Sequence, residues 1–98
     1  MRYEFETELW IWPGEKATWH FVSLPQELTA GIKTLRGPNS RGWGSMRVRA
    51  SIGEVVWSTS IFPGGKSGAF LLPVKASVRR AAGIAAGDRV AVVVELEM

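Results

Sequence analysis
Apolar and polar positions alternate almost without a break from Arg2 to Ile11. Tyr3, Phe5, Leu9 and Ile11 fall on one face with Thr7 between them, and Arg2, Glu4, Glu6 and Glu8 fall on the other. A period of two predicts a half-buried strand. Beyond the glutamates the outer face changes character and shows Trp10 and Trp12. Pro13-Gly14 marks a turn, and Thr18 to Leu24 reads as the returning strand of a hairpin, with Trp19 and Phe21 on one face and His20, Val22 and Leu24 on the other. Of these, Trp19 is expected in the core. Pro25 suits the first turn of a helix, and Leu28, Ile32 and Leu35 recur at helical spacing. Gly37-Pro38 ends that helix, and GPNSRG reads as a loop.

The same two periods return in the second half. Met46, Val48, Ala50 and Ile52 share a face, Gly53-Glu54 fits a two-residue turn of type II′, and Val55, Trp57, Thr59 and Ile61 share a face on the way back. Trp57 is expected in the core. Pro63 to Gly68 reads as a flexible loop. The chain closes on AFLLPVKASVRRAAGIAAGDRVAVVVELE: an apolar strand, a short basic helix with the stripe Val74, Val78 and Ala81 or Ala82, a Gly83 cap, a Gly87-Asp88 turn and a β-branched strand. In that last strand Val90, Val92, Val94 and Leu96 point inward, and Ala91 and Val93 predict cover on the other face too. WHFVSLPQELTAGIKTL is a weaker copy of its first half, so residues 19–35 are expected to superpose on 68–84 by an approximate two-fold. Six strands and two short helices without βαβ alternation predict a mostly β, mostly antiparallel small barrel or sandwich.

At 98 residues the chain suits a single domain, 1–98, with one core. Its 46% apolar fraction excludes disorder, and no apolar run approaches the ~20 residues of a membrane helix. Without cysteine there are neither disulfides nor thiolate zinc sites, which fits a cytoplasmic location. The net charge of +3 hides an uneven distribution. Residues 1–30 carry two basic against five acidic residues, residues 31–89 carry ten against two, and the tail adds Glu95 and Glu97. A basic middle of this kind meets an anion or forms a solvated face.

Catalytic chemistry has little to work with. One histidine, one aspartate and no cysteine leave only glutamates as metal ligands. Glu4, Glu6 and Glu8 repeat at ~6.8 Å along a strand, which suits a solvated face better than a calcium site. His20 sits mid-strand and reads as a hydrogen-bonded, partly buried imidazole rather than a general base. The GKS at 65–67 lacks the glycine a phosphate loop needs at position 60, where Ser60 stands, so only a weak anion nest remains there. No cofactor and no metal is implied. Five tryptophans are the unusual feature, and Trp43, between glycines and beside Arg41, suits a planar or anionic ligand.

FETELWIWPG, WHFVSLP, RGWGSMRV and SIFPGGKSGAFLLPVKASVRRAAGIAAGDRVAVVVEL together resemble the small bacterial domain of unknown function family 1905, over nearly the whole chain. The resemblance implies a double-split, pseudo-two-fold β-barrel, distantly like the AbrB/MazE architecture, with LPQELTAGIKTL and LPVKASVRRAAGI as the two fused units. It brings no activity with it. Three readings follow. The first is a non-catalytic binding or interaction module, monomeric, whose face comprises Arg41, Trp43, Lys66, Lys75 and Arg79, with Trp10 beside them, and whose partner is an anionic small molecule or a protein. The second is a weak nucleic-acid binder, and the third an enzyme. A continuous basic stripe favours nucleic acid, and a tryptophan-lined concavity favours a small ligand. Lys75 and Arg79, four apart on one helix, form the core of the expected anion site, with salt bridges to Glu27 or Glu54 as the alternative.

Overall fold
A computed structural model describes residues 2–13, 18–36, 45–64 and 69–96. Arg41, Trp43 and Lys66, the long loop around Trp43 and the GKS segment lie outside the described residues. Seven strands and two helices are formed among the described residues, in the order β1 (Arg2–Glu8), β2 (Trp10–Pro13), β3 (Thr18–Ser23), α1 (Gln26–Arg36), β4 (Met46–Ile52), β5 (Val55–Pro63), β6 (Phe70–Pro73), α2 (Ala76–Ala82) and β7 (Arg89–Leu96). All strand pairs are antiparallel, in the spatial order β1-β7-β4-β5-β6-β3-β2. The sheet is therefore a mostly β, barrel-like curl. No described helix is long and apolar enough to cross a membrane.

The first strand differs from its sequence reading. Alternation runs on to Ile11, but the strand breaks at Leu9, whose N–H donates to the Asp88 carbonyl at 2.9 Å and whose carbonyl accepts from the Gly87 N–H at 2.8 Å. β1 pairs with β7, whereas β2 pairs with β3. The two edges of the sheet are thus consecutive pieces of chain joined through one fully buried leucine. Ile11, expected beside Leu9 in the core, is 42% exposed because β2 lies at the edge. β5 makes the opposite join: Val55 to Ile61 pair with β4, and Phe62 and Pro63 pair with β6.

The inward faces fall largely where alternation puts them. Val48, Ala50 and Ile52 of β4, Trp57 and Ile61 of β5, and Val90, Val92, Val94 and Leu96 of β7 form one core with Val22, Phe70, Leu72, Val74, Val78 and Ile32. Burying each large aliphatic side chain stabilises the fold by about 1.5–3 kcal/mol. The β4–β5 turn has Gly53 at φ 60°, as a primed hairpin turn requires. Gly83 caps α2 at φ 68°, its N–H reaching the carbonyls of Arg79 and Arg80. The outer face of β7 is open, contrary to the expectation of cover on both sides: Ala91 is exposed and Val93 half-buried. One polar core residue was not foreseen, Thr29 of α1, whose Oγ1 accepts from the Phe70 N–H at 3.2 Å.

The repeat also has a different register from the one the Leu-Pro motifs suggest. β3 and β6 pair with Val22 opposite Leu72. Leu24 N–H donates to the Phe70 carbonyl at 2.8 Å, and Val74 N–H donates to the His20 carbonyl at 2.9 Å. A shift of 50 positions, which also carries the start of α1 at Gln26 to the start of α2 at Ala76, exchanges these two bonds. Leu24 therefore corresponds to Val74, not to Leu72. Pro25 precedes its helix directly, its carbonyl accepting from Thr29 at 3.0 Å, while Pro73 still belongs to a strand.

Candidate functional site
The bond from Val74 to His20 holds the start of α2 against β3. One turn into α2, Arg79 comes beside His20, and its Nη1 lies 3.0 Å from His20 Nε2. A guanidinium can only donate, so His20 Nε2 accepts and the proton of the neutral ring sits on Nδ1. Partial burial, with the Arg79 charge second, lowers the pKa of His20 below 6.5 and keeps the ring neutral. This is the hydrogen-bonded imidazole that its strand position predicts.

His20 and Arg79 line a cleft of about 350 Å³ with Lys75, Trp19 and Pro73, and with Trp57, Ser58 and Thr59 of β5. Three buried side-chain nitrogens have no hydrogen-bond partner among the described residues: His20 Nδ1, Trp57 Nε1 and Arg79 Nε. All three belong to residues of this cleft, and each carries a hydrogen to donate. A buried donor left unpaired costs about 1–3 kcal/mol. Lys75 is exposed at the rim. Among the described residues neither Lys75 nor Arg79 has a carboxylate partner; the described ion pairs are Arg2–Glu4 and Arg89–Glu6. The alternative of salt bridges to Glu27 or Glu54 is therefore not realised. The cleft is rich in donors and cations and has no described counter-charge. Chemically it suits an anionic or acceptor-rich group.

A second concavity of about 400 Å³ opens on the outer side of β2, β3 and β6, lined by Trp12, Trp19, Phe21, Phe62, Pro63, Gly64, Leu71 and Pro73. Trp12 lies opposite Trp19, and Trp10 opposite Phe21. Trp19 is 57% exposed rather than core, because it shares the outward face of β3 with Phe21, and Trp12 is 50% exposed. Trp10 is half-buried, donates from Nε1 to Ser23 Oγ at 3.0 Å, and lies 6.2 Å from Trp12 and 5.4 Å from Phe21 between ring centres. It props the groove and does not line the cationic cleft. Gly64 is required here, since a Cβ would meet Leu71 Cγ at 2.5 Å.

Of the residues singled out from sequence, then, Lys75 and Arg79 come together, Trp10 stands apart with the aromatic groove, and Arg41, Trp43 and Lys66 lie outside the described residues. His20, Trp57, Trp12 and Trp19 were not expected in a site. The signal available for them was the outward parity of Trp10 and Trp12 and the isolation of a single histidine. Among the described residues no group of three acidic or histidine side chains is placed to hold a metal.

The model of one protein family, described as "Domain of unknown function (DUF1905)", matches residues 5–94. No curated protein matches the chain. The match spans almost the entire sequence, and the chain belongs to that family.

Proposed function
We propose that this DUF1905 domain is a non-catalytic binding module that takes an anionic ligand in the cleft between β3, β5 and the start of α2. The observation that supports this is that Lys75 and the three residues with an unpartnered buried N–H, His20, Trp57 and Arg79, all line one concavity. An anion bound there is stabilised by the two cations and by the N–H dipoles of the residues around it. His20 is ill placed to act as a base, because its acceptor nitrogen is already engaged by Arg79 and its pKa is lowered. The same reading takes the barrel as double-split, on the strength of the exchanged bonds between β3 and β6.

The test is a titration of wild type and a Lys75→Ala/Arg79→Ala double variant with inorganic phosphate and sulfate, followed by tryptophan fluorescence. Trp19 and Trp57 line the cleft and report on it. Saturable binding by wild type, lost in the double variant, is the expected outcome. Identical curves for the two proteins remove the cleft from consideration.

A further inference from the structure
The cationic cleft and the aromatic groove adjoin, as two halves of one candidate site. Trp19 and Pro73 line both. The two halves differ sharply in chemistry. None of the described residues lining the groove carries a charge, and its described walls are four aromatic rings with leucine, proline and glycine between them. Both cations, and all three residues that carry an unpartnered donor, line the other half. An inorganic anion would leave Trp12 and Trp19 half exposed. A neutral hydrocarbon would leave the donors unpaired.

The groove is also built before any ligand arrives. Phe21 meets Phe62 edge to face with ring centres 5.7 Å apart, and Trp10, fixed by Ser23, packs against both Trp12 and Phe21. Rings held in this way lose little freedom on binding, which favours affinity. Each half is of the size small-molecule sites have, about 300–1,000 Å³. Among the described residues the groove offers no side-chain amide, carboxylate or hydroxyl that could read the polar edge of a nucleobase. Its chemistry selects a hydrocarbon ring system.

Building on the anion-binding reading above, we infer that the ligand is an amphipathic organic anion, with a flat apolar body against Trp12, Trp19 and Phe62 and a carboxylate or phosphate head at Arg79 and Lys75. The two adjoining concavities then do different work. The head is fixed by charge-assisted hydrogen bonds, and the body contributes through apolar area removed from water.

Calorimetric titration with inorganic phosphate, 1-naphthyl phosphate and neutral naphthalene-methanol tests this, on wild type, Trp12→Ala and Lys75→Ala/Arg79→Ala. Trp12 is exposed and lines the groove but not the cationic cleft, so the first variant is expected to keep the wild-type denaturation midpoint. Naphthyl phosphate is expected to bind wild type about tenfold or more tighter than inorganic phosphate. That gain should shrink several-fold in Trp12→Ala, while its affinity for inorganic phosphate stays unchanged. In two-dimensional NMR spectra the indole N–H signals of Trp12, Trp19 and Trp57 should all shift with naphthyl phosphate. If inorganic phosphate binds with dependence on Lys75 and Arg79 but the naphthyl group adds nothing, the amphipathic ligand is overturned and the anion cleft stands. If naphthyl phosphate binds equally well to the Lys75→Ala/Arg79→Ala variant, or naphthalene-methanol binds as tightly as the phosphate ester, the anion cleft falls and this inference falls with it.

Discussion

Trp57 belongs at once to the core and to the cleft: the residue is 7% exposed, yet its Nε1 has no partner among the described residues. The two roles separate by substitution. Trp57→Ala removes the ring and should lower stability by ~3–5 kcal/mol, a large share of the ~5–15 kcal/mol of a domain; an unchanged denaturation midpoint would refute this. Trp57→Phe keeps an aromatic ring and removes the pyrrole ring with its N–H, so it should cost the fold less than Trp57→Ala while still weakening anion binding. His20 yields a pH dependence. Its folded pKa lies below 6.5, so the unfolded chain binds the proton more readily than the folded one. Its contribution is therefore fully present above pH 6.5 and is lost as the pH falls through the lower folded value. The cations facing it, Arg79 and Lys75, have no described carboxylate to offset the new charge. Chemical denaturation between about pH 7.5 and pH 5 should show a loss of stability that is smaller in His20→Gln. Parallel losses in the two proteins would assign the effect to other groups.

At the scale of elements, the fold turns on the break between β1 and β2. Leu9 is fully buried and exchanges backbone hydrogen bonds with Asp88 and Gly87, so one residue ends a strand on one edge of the sheet and starts another on the opposite edge. Leu9→Ala leaves those bonds in place and opens a cavity where the edges meet. The expected cost is ~2–5 kcal/mol, read as a drop in denaturation midpoint. A midpoint within error of wild type would show that the join does not depend on that side chain. The sequence pattern could not reveal this break. Alternation reports which face a side chain takes, and Leu9 keeps the parity of Tyr3 and Phe5 while the strand itself changes partners. The faces of β4, β5 and the inner face of β7 were legible for the complementary reason: each stays within the sheet with its alternate residues against the core. Trp19 was misplaced because size and hydrophobicity suggested burial. Its parity with Phe21 puts it on the outward face, where Trp10 and Phe62 pack on Phe21 and Trp19 stays half exposed, lining the groove.

At the scale of the molecule, half of the candidate site was legible and half was not, for a reason of distance along the chain. Lys75 and Arg79 are one helical turn apart, so their shared face follows from local geometry. His20 and Arg79 are 59 residues apart, and their meeting follows from the pairing of β3 with β6, which composition and periodicity do not encode. Charge placement also ranks the competing readings. On the outer face around β1, β7 and β4, cations and carboxylates interleave: Arg2 pairs with Glu4, Arg89 with Glu6, and Arg49 stands opposite Glu95. Among the described residues that face forms no continuous basic stripe. On α2 and its cap, Lys75, Arg79 and the exposed Arg80 gather with no described carboxylate partner. A surface of this kind engages about three phosphates, so log K for duplex DNA should fall with log salt at a slope of about −3. Binding at roughly 150 mM salt should be weak, in the non-specific range of about 10⁻⁴–10⁻⁶ M, and equal for unrelated sequences. Fluorescence anisotropy with two labelled duplexes of different sequence, over a series of salt concentrations, measures all three quantities. Tight, sequence-selective binding with a shallow slope would place nucleic acid ahead of the small anionic ligand, because base readout rather than these few cations would then supply the affinity.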